Sequence, residues 1–367
     1  MSLKRLLQFL LFWGIFPTMF HNILVVRTDR LGDVILTLPV LPLIRSCYPA
    51  ARVSMLLSRY TGEIVEGHPH VDKLLWYDDA SRQLVPFREM VHRIRRENFD
   101  AVVLVHPTLR LAWMMKLAGI PVRVGSGYRY YSVLFNRRQF EHRKDARRHE
   151  LEYNLRLLGL IGCPVAETLE RPDYGIRIPP EAGRKIAELK QSCGVGLDRP
   201  LVIVHPGSGG SAREWPLESF ARLAENLQSQ KNVDIIATGS QEEDVRVREL
   251  IKRTGGRAVS FAGLLGLKEL AALIQSASLF VSNSTGPLHL AVAVGTPVLG
   301  FYPQITAMSP RRWGPYGGRN KVLVPARPQD CSECAGNGGR SCACMASISV
   351  DEAYESACAL LARQGRS

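Results

Sequence analysis

The chain has 367 residues, 46% of them hydrophobic and 22% charged, and its formal net charge is +13. That length exceeds one comfortable core and fits two ordinary domains, while the apolar content excludes a disordered chain. The positive surplus asks for an anionic partner, with nucleic acid, an anionic membrane face and a phosphorylated substrate as the three classes that fit.

Residues 1–21 are strongly apolar after Lys4 and Arg5. They lack the small-residue cleavage site of a signal peptide, and with Gly14 and Pro17 they are short for a spanning helix. A helix lying in the membrane interface, or one buried in the protein, is the expected form. Residues 22–27 then read as a buried strand, followed by the loop Thr28-Asp-Arg-Leu-Gly-Asp33 and a helical pattern over 34–47. Strands are expected at 51–57, 73–77, 100–105 and 122–125, with helices at 86–97, 109–117 and 151–160. Between residues 123 and 148, eight Lys/Arg stand against two acids, almost half of the whole surplus. The segment 129–148 shows no clean period and reads as a surface loop. Residues 171–180, rich in Pro, Gly and charge, suggest a domain edge.

A second alternating series follows: strands at 201–205 and 233–238, and helices at 217–228, 242–252 and 267–275. Residues 279–301 compress a strand, a polar turn, a short helix and a strand into one stretch, with Pro287 where a helix begins and Gly295 and Pro297 where it stops. Alternating strands and helices predict two doubly wound parallel sheets facing a cleft. The expected division is 1–21, a first domain over 22–178, a second over 179–345, and a C-terminal helix over 346–367 packing back on the first domain. No GxGxxG, GxxxxGK[ST], GxSxG or HExxH is present, so nicotinamide-binding, P-loop, hydrolase-elbow and zinc-protease chemistry have no motif behind them.

Four loops carry chemical interest, each at the carboxyl end of an expected strand, where open α/β sheets bind ligands. Asp33 opens a helix beside Gly32, which would let a substrate come close. A helix N-terminal carboxylate or a general base both account for Asp33. The glycine-rich stretch from His205, containing Ser208 and Gly209 and ending in Arg213 and Trp215-Pro216, would cradle phosphate. Glu242, after Thr238-Gly-Ser-Gln, can accept from ribose hydroxyls or simply cap a helix. Asn283-Ser284-Thr285-Gly286-Pro-Leu-His289 places backbone N–H groups and a helix dipole at a strand end, which suits an anion. Any one of these loops is also an ordinary capped turn; their joint occurrence raises the signal.

Taken together, the motifs Arg-Leu-Gly-Asp33, His205-Pro-Gly with Arg-Glu-Trp-Pro216, Thr-Gly-Ser-Gln-Glu242 and Asn283-Ser-Thr-Gly-Pro-Leu-His289 make the sequence similar to the ADP-heptose:lipopolysaccharide heptosyltransferases and relatives, glycosyltransferase family 9, over nearly the whole chain. The resemblance implies a GT-B fold, two Rossmann-like domains facing a central cleft, and an inverting transferase that takes its nucleotide-sugar donor in the C-terminal domain and its acceptor in the N-terminal one. It implies Asp33 as catalytic base, Arg213 on the donor diphosphate and Glu242 on the ribose. Gly32, Ser208, Gly209, Asn283, Ser284, Thr285, Gly286 and His289 complete the donor site it implies. Arg123, Arg137 and Arg138 fall in the acceptor domain, where they would meet phosphate or carboxylate groups of a lipid-linked or polysaccharide acceptor at an anionic membrane surface. No cofactor is implied for catalysis, no nucleic-acid partner is expected, and the implied location is the cytoplasmic face of a bacterial inner membrane. Ser284 stands where the lipopolysaccharide heptosyltransferases carry Asp, and Asp29-Arg30 replaces small hydroxyl residues, both bearing on the choice of donor sugar. A nucleotide-sugar epimerase or hydrolase on the same fold, and a basic nucleic-acid-binding protein, are the competing readings.

Of eight cysteines, Cys47, Cys163, Cys193 and Cys358 are scattered beside apolar sequence and read as buried thiols. Cys331, Cys334, Cys342 and Cys344 cluster in the segment 331–344. A structural zinc site, two disulfides and free thiols are all open at that spacing.

Overall fold

The computed structural model describes residues 19–164, 167–196, 198–326 and 343–362. Its described residues build two six-stranded sheets in which every pairing between strands is parallel. The first contains β1 (Asn22–Val26), β2 (Arg52–Leu57), β3 (Lys73–Trp76), β4 (Ala101–Leu104), β5 (Val122–Ser126) and β6 (Arg137–Gln139), in the order β3-β2-β1-β4-β5-β6. The second contains β7 (Leu201–His205), β8 (Asp234–Ala237), β9 (Val259–Ser260), β10 (Leu279–Asn283), β11 (Val298–Phe301) and β12 (Asn320–Leu323), in the order β12-β11-β10-β7-β8-β9. Both are doubly wound. The direction of winding reverses between β1 and β4 and between β7 and β10, and a crevice opens beyond the carboxyl ends of those strands.

The central strands are continuous apolar runs because helices cover both faces, leaving no wet side that would impose alternation. Leu24, Val25 and Val26 are fully buried, and Val25 lies between Met55 and Val103 in register. The edges were harder to see. Arg137-Arg-Gln139 forms β6 inside a segment that composition marks as a loop, because an edge strand of three residues can carry charged side chains, Arg138 exposed and Arg137 turned to the Leu160 carbonyl. β9 and β12 are the edge strands of the second sheet.

The helical pattern over 34–47 resolves into α1 (Leu31–Ile35) and α2 (Val40–Cys47), broken where Pro39 caps the second. Further helices used below are α3 (Glu150–Arg156), α4 (Pro180–Ser192), α5 (Leu217–Lys231), α6 (Leu267–Gln275), α7 (Gly286–Ala293) and α8 (Val350–Ala362). The expectation that the C-terminal helix returns to the first domain is corrected. Ala353, Ala357 and Leu360 of α8 are buried in the cluster formed by Trp215, Phe220 and Phe301 of the second half. Small residues at that spacing let the helix settle closely on α5 and the second sheet. Cys163 is buried as expected, whereas Cys193 is exposed.

Among the described residues the two halves meet at the cleft floor and on both flanks. At the cleft floor, α1 and α7 abut: a Cβ on Gly32 would lie 2.8 Å from His289 Cδ2 and 3.2 Å from Gly286 Cα, and one on Gly286 would lie 3.0 Å from Leu31 Cβ. Gly32 was expected to admit a substrate; in the fold it lets two helix starts touch. On one flank, His149 Nε2 bonds to the Gly314 carbonyl (2.8 Å) and Tyr316 donates to Glu152 (3.1 Å). On the other, Lys268 Nζ donates to the carbonyls of Ile64 (3.2 Å), Glu66 (2.9 Å) and Arg177 (2.5 Å).

Candidate functional site

A cavity of about 900 Å³ lies between the carboxyl ends of the two sheets. Nine of the residues assigned from sequence to the catalytic and donor site line it: Gly32 and Asp33 from the first half, and Ser208, Gly209, Glu242, Ser284, Thr285, Gly286 and His289 from the second. Asn283 and Arg213 are not among its lining residues. Arg123, Arg137 and Arg138 lie on β5 and β6, toward the far edge of the first sheet.

Asp33 sits in the first turn of α1, its side chain 16% exposed and paired with Arg27. Arg27 is itself 2% exposed and also pairs with Asp29 (2.7 Å) and Glu150 (3.7 Å). Glu150 opens α3 and is held by Arg143 and by Arg312 of the second half (2.9 Å). Burial works against the charged form of Glu150, but Arg143, Arg27 and Arg312 together bring its carboxyl down to about 2. Asp33 ends differently. Burial pushes its carboxyl up to about 6; Arg27 opposes this, while Asp29 and Glu150 add to it. Burial is the main cause, and the contrast with Glu150 is one of partners: Arg27 is divided among three carboxylates, and Asp33 lacks the further pairs that Glu150 makes with Arg143 and Arg312. The result is a partly exposed carboxylate with a proton affinity near neutrality, a form suited to taking a proton from a hydroxyl.

The second half supplies a polar wall. Glu243, next to the predicted Glu242, accepts from the backbone N–H of Gly209 (3.1 Å) and of Ser240 (3.0 Å), tying the loops after β7 and β8 together. A side chain on Gly207 would collide with that carboxylate at 2.0 Å. Ser208 donates to buried Glu214 (2.6 Å), which pairs with Arg246 (2.8 Å). Asn283 accepts from Trp215 N (2.8 Å) and donates to the Pro206 carbonyl (2.9 Å). The side chains of Ser208, Glu243 and Asn283 thus hold the loops in shape, and Glu242 lines the cleft beside them. His289 is 4% exposed, and burial drops its imidazole to about 3, so it is neutral. Thr285 caps α7, whose N-terminal groups open into the cavity beside Ser284.

Several lining residues carried no motif. Phe261, Leu265, Leu267 and Leu270 give one end of the cavity an apolar floor, indistinguishable in sequence from core residues. Arg82, from the loop after β3, and Arg312, from the short helix Pro310–Trp313, add cations to that of Arg30 in the first motif. Arg27, Glu150 and Arg312 are 123 or more positions apart where they meet in the fold, which no local pattern reveals.

Among the predicted acceptor residues, Arg123 Nε donates to the Leu134 carbonyl (2.8 Å) and Arg137 to the Leu160 carbonyl (2.6 Å), so both are engaged in shaping the sheet edge. Arg138 is exposed beside Phe140 (5.8 Å). Cys344 is 3% exposed, and Cys331, Cys334 and Cys342 lie outside the described residues. Residues 1–18 also lie outside them; among the described residues no helix is long and apolar enough to cross a membrane.

The family profile of "Glycosyltransferase family 9 (heptosyltransferase)" matches residues 87–338. A putative glycosyltransferase of Haemophilus influenzae is 28% identical over 316 residues, covering 84% of this chain and 90% of that one. Lipopolysaccharide heptosyltransferase 3 of Escherichia coli is 24% identical, covering 77% and 83%. In three dimensions, the glycosyl transferase family 9 protein of Veillonella parvula superposes with a TM-score of 0.79 at 22% identity, covering 94% of this chain and 97% of that one. The E. coli ADP-heptose LPS heptosyltransferase II superposes with a TM-score of 0.76 at 19% identity, covering 94% and 99%. The two facing sheets are thus those of the GT-B fold.

Proposed function

Because the chain belongs to glycosyltransferase family 9 and is a glycosyltransferase, we propose that it is an inverting transferase that moves heptose from ADP-heptose onto a hydroxyl of a lipopolysaccharide-core or related envelope glycan. One observation carries this reading: Asp33 of the first half and the start of α7 in the second line a single cleft, with Gly32 and Gly286 in contact between them. A base and an anion-binding helix end therefore face the same small volume.

In this reading Asp33 takes the proton of the acceptor hydroxyl as its oxygen attacks the anomeric carbon from the side opposite the diphosphate. The bond from that carbon to the phosphate oxygen breaks, and the electron pair leaves with the nucleoside diphosphate. The N–H groups at the start of α7 would stabilise the charge that develops there; Arg213, which the resemblance puts on the diphosphate, does not line the cavity in this structure. Glu242 would accept from the ribose hydroxyls, and the apolar floor of Phe261, Leu265 and Leu267 would take the base. Ser284, where a carboxylate is implied in the lipopolysaccharide enzymes, would touch the sugar and set which one is accepted. A panel of nucleotide-sugars followed by thermal shift tests the donor: ADP-heptose is expected to raise Tm through mass action. A larger shift with another donor, at equal concentration, would reassign the sugar or base.

We also place an anionic membrane surface against the 126–148 face. Tyr130, Val133 and Phe140 are 80%, 76% and 60% exposed there, among the exposed Arg129, Arg138 and Lys144. Aromatic rings interleaved with cations suit a headgroup layer. Tyr130→Ser with Arg129→Glu and Arg138→Glu should weaken sedimentation with phosphatidylglycerol vesicles; unchanged sedimentation contradicts the placement.

A further inference from the structure

The cleft wall opposite Glu242 comes from the first half, and neither the motifs nor the family likeness assigns it a part. Tyr60 follows β2 and is 49% exposed; Arg82 sits in the loop after β3, its guanidinium 5.5 Å from the centre of the Tyr60 ring. Both line the same cavity as Glu242 and the apolar floor. Their position relative to that floor is fixed by Glu63, three residues after Tyr60: its Oε1 accepts from Lys268 N (3.0 Å) and would lie 2.9 Å from a Cβ on Gly266. Gly266 separates Leu265 from Leu267, so the Tyr60 segment rests directly on the stretch that forms the floor. At the other side, the Ser240 hydroxyl and, beyond it, Arg82 hold the Glu242 carboxyl below the usual range.

The loop bearing Arg82 is built to keep it there. Arg82 has φ of +61°, a left-handed conformation that a non-glycine residue rarely adopts and that costs about 1 kcal/mol or more. Asp79 fixes it: its Oδ1 accepts from Ser81 N (2.8 Å) and Gln83 N (3.0 Å), and its carbonyl accepts from Arg82 N (3.1 Å). Asp78 Oδ1 in turn accepts from Arg59 N (2.6 Å), joining this loop to the turn that carries Tyr60. A strained arginine, in a loop that three hydrogen bonds to Asp79 shape and a fourth at Asp78 ties to the Tyr60 turn, over a half-exposed aromatic ring, is a costly arrangement for a solvent-facing hairpin. It is an economical one for a ligand platform, since the cation on the ring and the ring itself are ordered before anything binds.

Resting on the donor reading above, we propose that Tyr60 and Arg82 form the first half's share of the nucleotide pocket. The base lies between the Tyr60 ring and the Leu265–Leu267 floor, and Arg82 closes over the ribose and diphosphate opposite Glu242. Donor binding is then a property of both halves together, and the nucleoside diphosphate spans the cleft.

Calorimetric titration of the full chain with ADP, GDP, UDP and CDP identifies the tightest nucleotide, which then serves as probe. Loss of a base-stacking ring is worth about 1–3 kcal/mol, or roughly a tenfold loss of affinity at its lower half. Tyr60→Ala should therefore weaken the probe about tenfold and leave the binding of inorganic pyrophosphate, which has no base, unchanged. Arg82→Ala should weaken both ligands, and Tyr60→Phe should restore probe affinity. Arg82 is exposed, so its truncation is expected to leave the fold intact even if Tyr60→Ala does not, and far-ultraviolet circular dichroism checks both. Unaltered probe affinity in Tyr60→Ala and Arg82→Ala, alongside a Glu242→Ala variant that loses it, overturns the proposal and leaves the donor reading standing. An increase in acceptor KM alone also overturns it. If no nucleotide binds the parent chain, or Glu242→Ala binds as the parent does, the donor reading fails and the proposal with it.

Discussion

Asp33→Asn is expected to lower kcat by about 10²–10⁴-fold, the usual worth of a positioned general base, while nucleotide affinity stays within about twofold. The substitution keeps the size of the side chain and a hydrogen-bonding oxygen toward Arg27, so the charge network around it is disturbed far less than by truncation. What disappears is a site that can accept a proton. The pH dependence of the parent protein has the same origin. The base works as carboxylate, and its folded-state affinity for a proton is raised to about 6 by burial, with Arg27 opposing and Asp29 and Glu150 reinforcing. Activity should therefore fall as pH drops through about 6, not through the range near 4 where exposed carboxylates titrate. A kcat/KM profile flat down to pH 5, or Asp33→Asn retaining more than a tenth of parental kcat, would remove Asp33 from the chemistry.

Replacing Arg27 by Met should destabilise the protein by about 3–5 kcal/mol, the usual cost of removing one partner from a buried ion network. The size follows from what is left behind. Asp29 loses a 2.7 Å contact, Asp33 loses its pair, and Glu150 keeps only Arg143 and Arg312. Three carboxylates would then share a region in which Arg27 was almost wholly buried. Arg27→Lys should recover little, because an ammonium cannot present a planar fork to Asp29 and Asp33 at once. The sign of the pH response is a further check. Without Arg27 the proton affinity of Asp33 rises further, so protonation at low pH relieves the repulsion. The deficit in denaturant-derived stability should shrink between pH 7.5 and pH 5.5. A variant within 1 kcal/mol of the parent, or a deficit that grows on acidification, contradicts this description of the site.

How far these properties were legible in the sequence depends on whether their cause is local. Strand β1, the Ser/Thr/Gly turn after β10 and the start of α7 at Pro287 announce themselves through hydrophobic runs and turn chemistry, and the structure places them as expected. The loops bearing Asp33, Ser208, Glu242 and Ser284 were found because each lies just past a strand that is easy to read. Gly32 was found for the wrong reason: its neighbour across the halves, His289, is 257 positions away, and only the folded chain shows that a side chain there would strike it. Glu243 carries no signal in the sequence, because its two backbone partners, Gly209 and Ser240, lie on separate loops that only the fold brings together. β6 was missed because two arginines and a glutamine at a sheet edge carry no hydrophobic period. The C-terminal helix was assigned to the wrong half because amphipathicity reports that a face is buried, not against what. Tyr60 and Arg82 gave no signal at all, since a backbone angle of +61° at an arginine leaves no trace in composition.

Transfer requires that the cleft hold a nucleotide-sugar and a second sugar hydroxyl at once, with Asp33 between them. The measurement that tests this most directly is nucleoside diphosphate release by the full chain, incubated with donor in the presence and absence of a lipid-linked core oligosaccharide. Release that depends on the acceptor, and that falls with Asp33→Asn, is the result this account predicts. Release at the same rate without acceptor would contradict it and make the protein a hydrolase or epimerase of nucleotide-sugars instead.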